Sequence, residues 1–156
     1  MWLLPVFSGL CGIAIRVFYR FEVQGPSPPR SGPLLLVANH PNSLVDPALV
    51  TAAANRPVRF LAKAPLFTHP WVGWLVRGSG AIPVYRRSDD PTLTSRNQEM
   101  FAAAFAALSE GAAIGIFPEG LSHSHPSLAD LKTGSARIAL GFATRSAEPL
   151  EVVPTG

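Results

Sequence analysis

The sequence predicts an α/β domain in which a largely parallel sheet is flanked by helices. Three observations carry that expectation. Apolar runs of strand length alternate with segments of helical period. Asp-Pro marks two helix starts, at Asp46-Pro47 and Asp90-Pro91. Ionisable residues gather directly after three of the apolar runs: His40 with Asp46, Arg86 with Arg87, and Glu119. Strands joined through helices are parallel neighbours, and parallel strands bring their carboxyl ends to one rim. The three sets are therefore expected to face one crevice.

Met1 to Ile15 carries no charge, and Arg16 and Arg20 follow it. Fifteen residues fall short of the about 20 that a helix needs to cross a bilayer. The positive charges come after the apolar run and no small-residue cleavage pattern is present, which argues against a signal peptide. The expectation is a retained membrane-associating helix over residues 1–21. It would lie in the interface, with Trp2, Phe18 and Tyr19 as aromatic anchors and the arginines toward anionic headgroups. A helix buried in the core of the domain is the alternative. Residues 22–33 hold a strand start and then a Pro/Gly/Ser linker.

The body of the domain is expected over residues 34–156. Leu34 to Ala38 reads as a buried strand, Pro47 to Ala54 as a helix and Val58 to Ala62 as a second strand. Pro65 to Val76 is apolar and aromatic, and its two prolines and one glycine predict a broken helix. Ala81 to Val84 is a short strand. From Asp90 onward Leu93, Met100, Phe101, Ala104, Phe105 and Leu108 recur at helical spacing until Gly111 stops the helix. Ala112 to Phe117 is another buried strand, Ala136 to Thr144 a helix, and Leu150 to Val153 the last strand.

The 156 residues suffice for one core. Hydrophobic residues make up 47% and charged residues 15%, with a mean hydropathy of +0.24, so part of the apolar surface is expected to meet lipid. The basic residues concentrate in the first 96 positions, where the acids are only Glu22, Asp46, Asp89 and Asp90. A basic front half suits anionic lipid or a phosphorylated substrate. Nucleic acid is disfavoured, because the arginines are scattered and neither a basic-aromatic repeat nor a zinc-finger spacing exists. The single cysteine, Cys11, allows no internal disulfide.

The stretch Asn39-His40-Pro41-Asn42-Ser43-Leu44-Val45-Asp46 carries the first chemical hypothesis. An imidazole where a strand ends, with a carboxylate six residues on, is a candidate general base and its orienting partner. The same Asp46 before Pro47 also fits a plain helix start, and His40 a polar loop residue. Spacing leaves both readings open.

At this point the sequence resembles the glycerolipid acyltransferases of the bacterial lysophosphatidic acid acyltransferase type. The resemblance rests on Asn39-His40 with Asp46, on Gly80-Ala81-Ile82-Pro83-Val84-Tyr85-Arg86, on Phe117-Pro118-Glu119-Gly120-Leu121-Ser122 and on Val153-Pro154, in family order. It implies the fold of the glycerol-phosphate acyltransferases. It also implies transfer of a fatty acyl group from an acyl-CoA or acyl-ACP thioester, as co-substrate, to a hydroxyl of 1-acyl-glycerol 3-phosphate. By that resemblance His40 is the general base and Asp46 orients it. Arg86 holds the acceptor phosphate, Glu119 and Gly120 help bind the glycerol end, and Lys63 and Lys132 add phosphate contacts. No cofactor or metal is implied. The implied partners are membrane lipid, a lysophospholipid acceptor and the acyl carrier, and the implied location is the cytoplasmic face of an inner or plasma membrane.

Two departures stand out. Five residues separate His40 from Asp46 where the family commonly has four, which bears on the acceptor. His123 stands where arginine usually follows the serine of the third block. The sequence stops just inside the fourth block, so the C-terminal part of a complete enzyme is expected to be missing. Glycerol 3-phosphate or another lysolipid is the alternative acceptor. A non-catalytic membrane-binding module is one rival reading. A metal-dependent hydrolase using His123, His125, Asp130, His40 and Asp46 is the other.

Overall fold

A computed structural model describes residues 3–42, 45–86, 91–122 and 127–156. Five strands form one sheet: β1 (Leu34–Ala38), β2 (Val58–Lys63), β3 (Ile82–Val84), β4 (Ala113–Ile116) and β5 (Glu151–Thr155). Their order is β3-β2-β4-β1-β5 and every pairing is parallel. Leu34 stands beside both Ala113 and Glu151, so β1 is central. Among the described residues there are six α-helices: α1 (Leu4–Phe18), α2 (Asp46–Ala54), α3 (Pro65–Thr68), α4 (Gly73–Gly78), α5 (Asn97–Ser109) and α6 (Gly134–Ala143).

Side chains alternate across a strand, and here both faces are covered. Leu34, Leu36 and Ala38 of β1 meet Val50 and Ala54 of α2 on one face. Leu35 meets Leu108 of α5 with Ile138 and Phe142 of α6 on the other. Double coverage is why β1 reads as an unbroken apolar run. Each of the buried Leu, Val, Ile and Phe side chains contributes about 1.5–3 kcal/mol by burial. The arrangement also opens the site. The chain leaves β1 toward one face through α2, and leaves the neighbouring β4 toward the other face through α6. Adjacent strands whose connections diverge leave a crevice at their carboxyl ends.

At the opposite rim Arg56 ties three segments together. Its guanidinium donates to the carbonyls of Pro29, Gly32 and Gly111 at 3.1, 3.0 and 2.6 Å. Burial pulls that guanidinium below its ordinary value. The stretch expected as a linker thus ends docked under the sheet, with Pro28 and Pro33 buried.

The bounds of one expected element shift, and two expectations need correction. The first helix is Leu4–Phe18 and it packs on α2, burying Leu4 and Ile15 against the domain. Fifteen residues span about 22 Å, against a hydrocarbon core of about 30 Å. Among the described residues no helix is long and apolar enough to cross a membrane. The helix expected from Asp90 begins as a 3₁₀ turn over Pro91–Arg96, and α5 starts at Asn97. The reason lies in Asn97, whose amide is bound to Tyr85. Strand β5 runs through Pro154 to Thr155 instead of stopping at Val153. It is an edge strand of this sheet, where proline's missing N–H costs no ladder bond. Trp2, Arg87 and Asp90 lie outside the described residues.

Candidate active site

His40 follows β1 by two residues and Asp46 opens α2. His40 Nδ1 lies 2.9 Å from Asp46 Oδ2, and the same oxygen accepts the Asn42 N–H at 2.7 Å. An oxygen that accepts a backbone hydrogen assigns the imidazole proton to Nδ1, which leaves the Nε2 lone pair free of that bond. The two side chains are 16% and 10% exposed, shielded yet reachable. Asp46 is the first helical residue, and Val45 at the N-cap before it makes no side-chain capping bond. Just before the helix, Asn42 Oδ1 accepts the Val45 N–H at 3.3 Å. The five-residue spacing still brings Asp46 onto His40.

Strand β4 supplies the next layer because it lies beside β1. The Phe117 ring stacks on the imidazole at 3.9 Å between centroids and 11° between planes. Phe60 of β2 lies parallel to Phe117, 5.7 Å away. Gly115 makes room for this stack, since a Cβ there would stand 2.6 Å from Phe60 Cδ1. Glu119 is 1% exposed. Its Oε1 accepts the His40 N–H at 2.9 Å and its Oε2 the Ala129 N–H at 3.0 Å.

Arg86 follows the end of β3, and its Nη1 donates to the Gly120 carbonyl at 2.6 Å. Asn97 fixes the neighbouring backbone by a reciprocal pair: its Nδ2 donates to Tyr85 O at 2.7 Å, and its Oδ1 accepts the Tyr85 N–H at 3.0 Å. Gly120 has φ +71°, a left-handed conformation that suits glycine. Lys132 packs its stem past Gly120, and its N–H donates to Pro118 O at 2.7 Å. Lys63 is exposed at the carboxyl end of β2. Among the described residues, His40, Asp46, Lys63, Arg86, Glu119, Gly120 and Lys132 therefore stand at the carboxyl-end rim of the sheet. A cavity of about 380 Å³ opens behind Asn39 and Asp46, walled by Phe21, Val23, Leu49 and Pro154 among others.

The sequence reading missed Phe117, Phe60 and Asn97. The first two only become partners of His40 once the order β2-β4-β1 is known. Asn97 hid inside a helical periodicity that treats polar residues as solvent-facing. His123 and His125, on which a metal site would depend, lie outside the described residues. Among the described residues no group of three or more His, Cys, Asp or Glu is placed to hold a metal ion.

These features define a parallel α/β domain with a histidine–carboxylate pair at its switch point and arginine and lysine on the same rim. The chain belongs to the acyltransferase family: the family model described as Acyltransferase matches residues 20–156. It is 26% identical over 147 residues to a chloroplastic 1-acyl-sn-glycerol-3-phosphate acyltransferase of Arabidopsis thaliana, covering 92% of this chain and 39% of that protein. It is 36% identical over 110 residues to a lyso-ornithine lipid O-acyltransferase of Pseudomonas aeruginosa, covering 70% of this chain and 38% of that protein. A shorter match, 44% over 63 residues, is to a glycerol-3-phosphate O-acyltransferase of Saccharomyces cerevisiae, covering 38% of this chain and 8% of that one. The chain thus spans well under half the length of these relatives. No solved structure gives a significant match.

Proposed function

We propose that this chain carries the acyl-transfer site of a lysophospholipid O-acyltransferase, with 1-acyl-glycerol 3-phosphate as acceptor and an acyl-CoA or acyl-ACP thioester as donor. The observation that carries the reading is the His40–Asp46 pair, with Nδ1 held and Nε2 left to act. An alcohol is a weak nucleophile until a base takes its proton. His40 Nε2 removes the acceptor hydroxyl's proton as the oxygen attacks the thioester carbonyl, and Asp46 stabilises the imidazolium formed. General-base catalysis of this kind contributes about 10²- to 10⁴-fold. The thioester is already activated, so no covalent enzyme intermediate is needed. The thiolate leaves as the tetrahedral intermediate collapses.

Arg86, beside Gly120, supplies positive charge for the acceptor phosphate, with Lys63 and Lys132 flanking it. The cavity beside Asn39 and Asp46, whose walls include Val23, Leu49 and Val50 as well as Arg20 and Glu22, would take part of the acyl chain. Helix α1 supports membrane association. Val6, Leu10, Ile13 and Val17 fall on one stripe facing away from α2, between 57% and 71% exposed. The headgroup side of a cytoplasmic leaflet would bring that stripe and the acceptor together. A panel of acceptors offered with one labelled acyl-CoA tests the reading. A phosphate-bearing lysolipid is expected to win, and Arg86→Ala to remove that preference. Equal use of neutral lysolipids by the wild-type chain would refute the phosphate acceptor.

The lyso-ornithine relative motivates a second acceptor, one without a phosphate. The same panel separates the two.

A further inference from the structure

We propose that Glu119 is a positioning residue for His40, a buried brace that sets the base from behind instead of contacting the acceptor. The inference rests on the reading of His40 as general base. Each Glu119 oxygen already accepts a backbone hydrogen, from His40 at 2.9 Å and from Ala129 at 3.0 Å. With 1% of the residue exposed, the carboxylate is closed off by the surrounding protein from an incoming glycerol hydroxyl. The carboxylate spans three chain segments: the end of β1, the end of β4 and the approach to α6. The first bond bridges 79 positions of sequence and the second 10.

The imidazole is then fixed in three independent ways. Asp46 holds Nδ1, Phe117 holds the ring plane, and Glu119 holds the main chain from which the ring projects. Removing the third leaves the ring its partners but lets its Cα drift. A reacting group displaced by about 1 Å loses on the order of 10²-fold in rate. Acceptor affinity, by contrast, depends on Arg86 and its neighbours.

The test is Glu119→Gln and Glu119→Asp in the full chain, assayed with 1-acyl-glycerol 3-phosphate and labelled palmitoyl-CoA. Glutamine turns a donor toward one of the two N–H groups, and aspartate is one methylene too short to span both. Both variants are expected to lower kcat by about 10- to 100-fold with acceptor KM nearly unchanged. In ligand-free protein the His40 imidazole and amide resonances should move. A rise in acceptor KM with kcat intact, or His40 resonances identical to wild type, would overturn the proposal. If neither variant folds, hydrogen exchange in the wild type decides. The amides of His40 and Ala129 should exchange as slowly as those of β1, and exchange at exposed-loop rates overturns the brace. His40→Ala separates the two ideas: full activity in that variant defeats the general-base reading, while the resonance shifts in Glu119→Gln still report the brace.

Discussion

Gly115→Ala should damage catalysis from inside the sheet, three rings away from the reacting atoms. The added Cβ would stand 2.6 Å from Phe60 Cδ1 and 3.1 Å from Cζ. Carbon atoms pack at about 3.5–4.0 Å, so the Phe60 ring must retreat by about 1 Å. Gly115 pairs directly with Phe60 across the β2–β4 ladder, which leaves the ring little room to move sideways. Phe60 lies parallel to Phe117, and Phe117 to the His40 imidazole, so the push is passed along the stack. Overpacking of this size costs about 1–3 kcal/mol. For a chain of this length that lowers Tm by about 2–4 °C per kcal/mol. A displaced imidazole should lower kcat by about 10- to 100-fold. Thermal unfolding and steady-state acyl transfer below the lowered Tm check both numbers. Phe60→Leu in the same chain should restore part of the activity by vacating the slot. A variant that loses stability but keeps wild-type kcat would refute the stack as the link to His40.

Asp46→Asn should reduce kcat by about 10²- to 10³-fold with little change in acceptor KM, because the imidazolium loses its counter-charge. Pre-steady-state transfer at saturating acceptor measures it. Arg56→Met removes three donors from the opposite rim. Water replaces part of what is lost, so about 2 kcal/mol of destabilisation is expected, read as a lower urea midpoint with kcat unchanged. Val6→Glu with Leu10→Glu should leave Tm near wild type, since both residues face outward, and sharply reduce sedimentation with anionic phospholipid vesicles. Unchanged sedimentation would remove α1 from the membrane contact.

The parts of the fold legible in sequence were those whose burial is two-sided. Strands β1 and β4 read as unbroken apolar runs because helices cover both faces, and the position of α2 followed from its start signal. Pro154 misled the reading of β5, since a residue that ends a central strand is harmless at an edge. Residues 91–96 misled the reading of α5, because apolar spacing does not register that Asn97 is held by Tyr85. The His40–Asp46 pair was legible because it lies within seven residues. The support of that pair was not, since Phe117 and Glu119 reach His40 only through strand order, and local spacing carries no strand order. One face of helix α1 packs on the domain, and the other is an exposed apolar stripe.

The central claim is tested most directly by His40→Ala, assayed for transfer of a labelled acyl group from acyl-CoA to 1-acyl-glycerol 3-phosphate. The account predicts a loss of about 10²- to 10⁴-fold with Tm and vesicle binding retained. Transfer within a few-fold of wild type would contradict it.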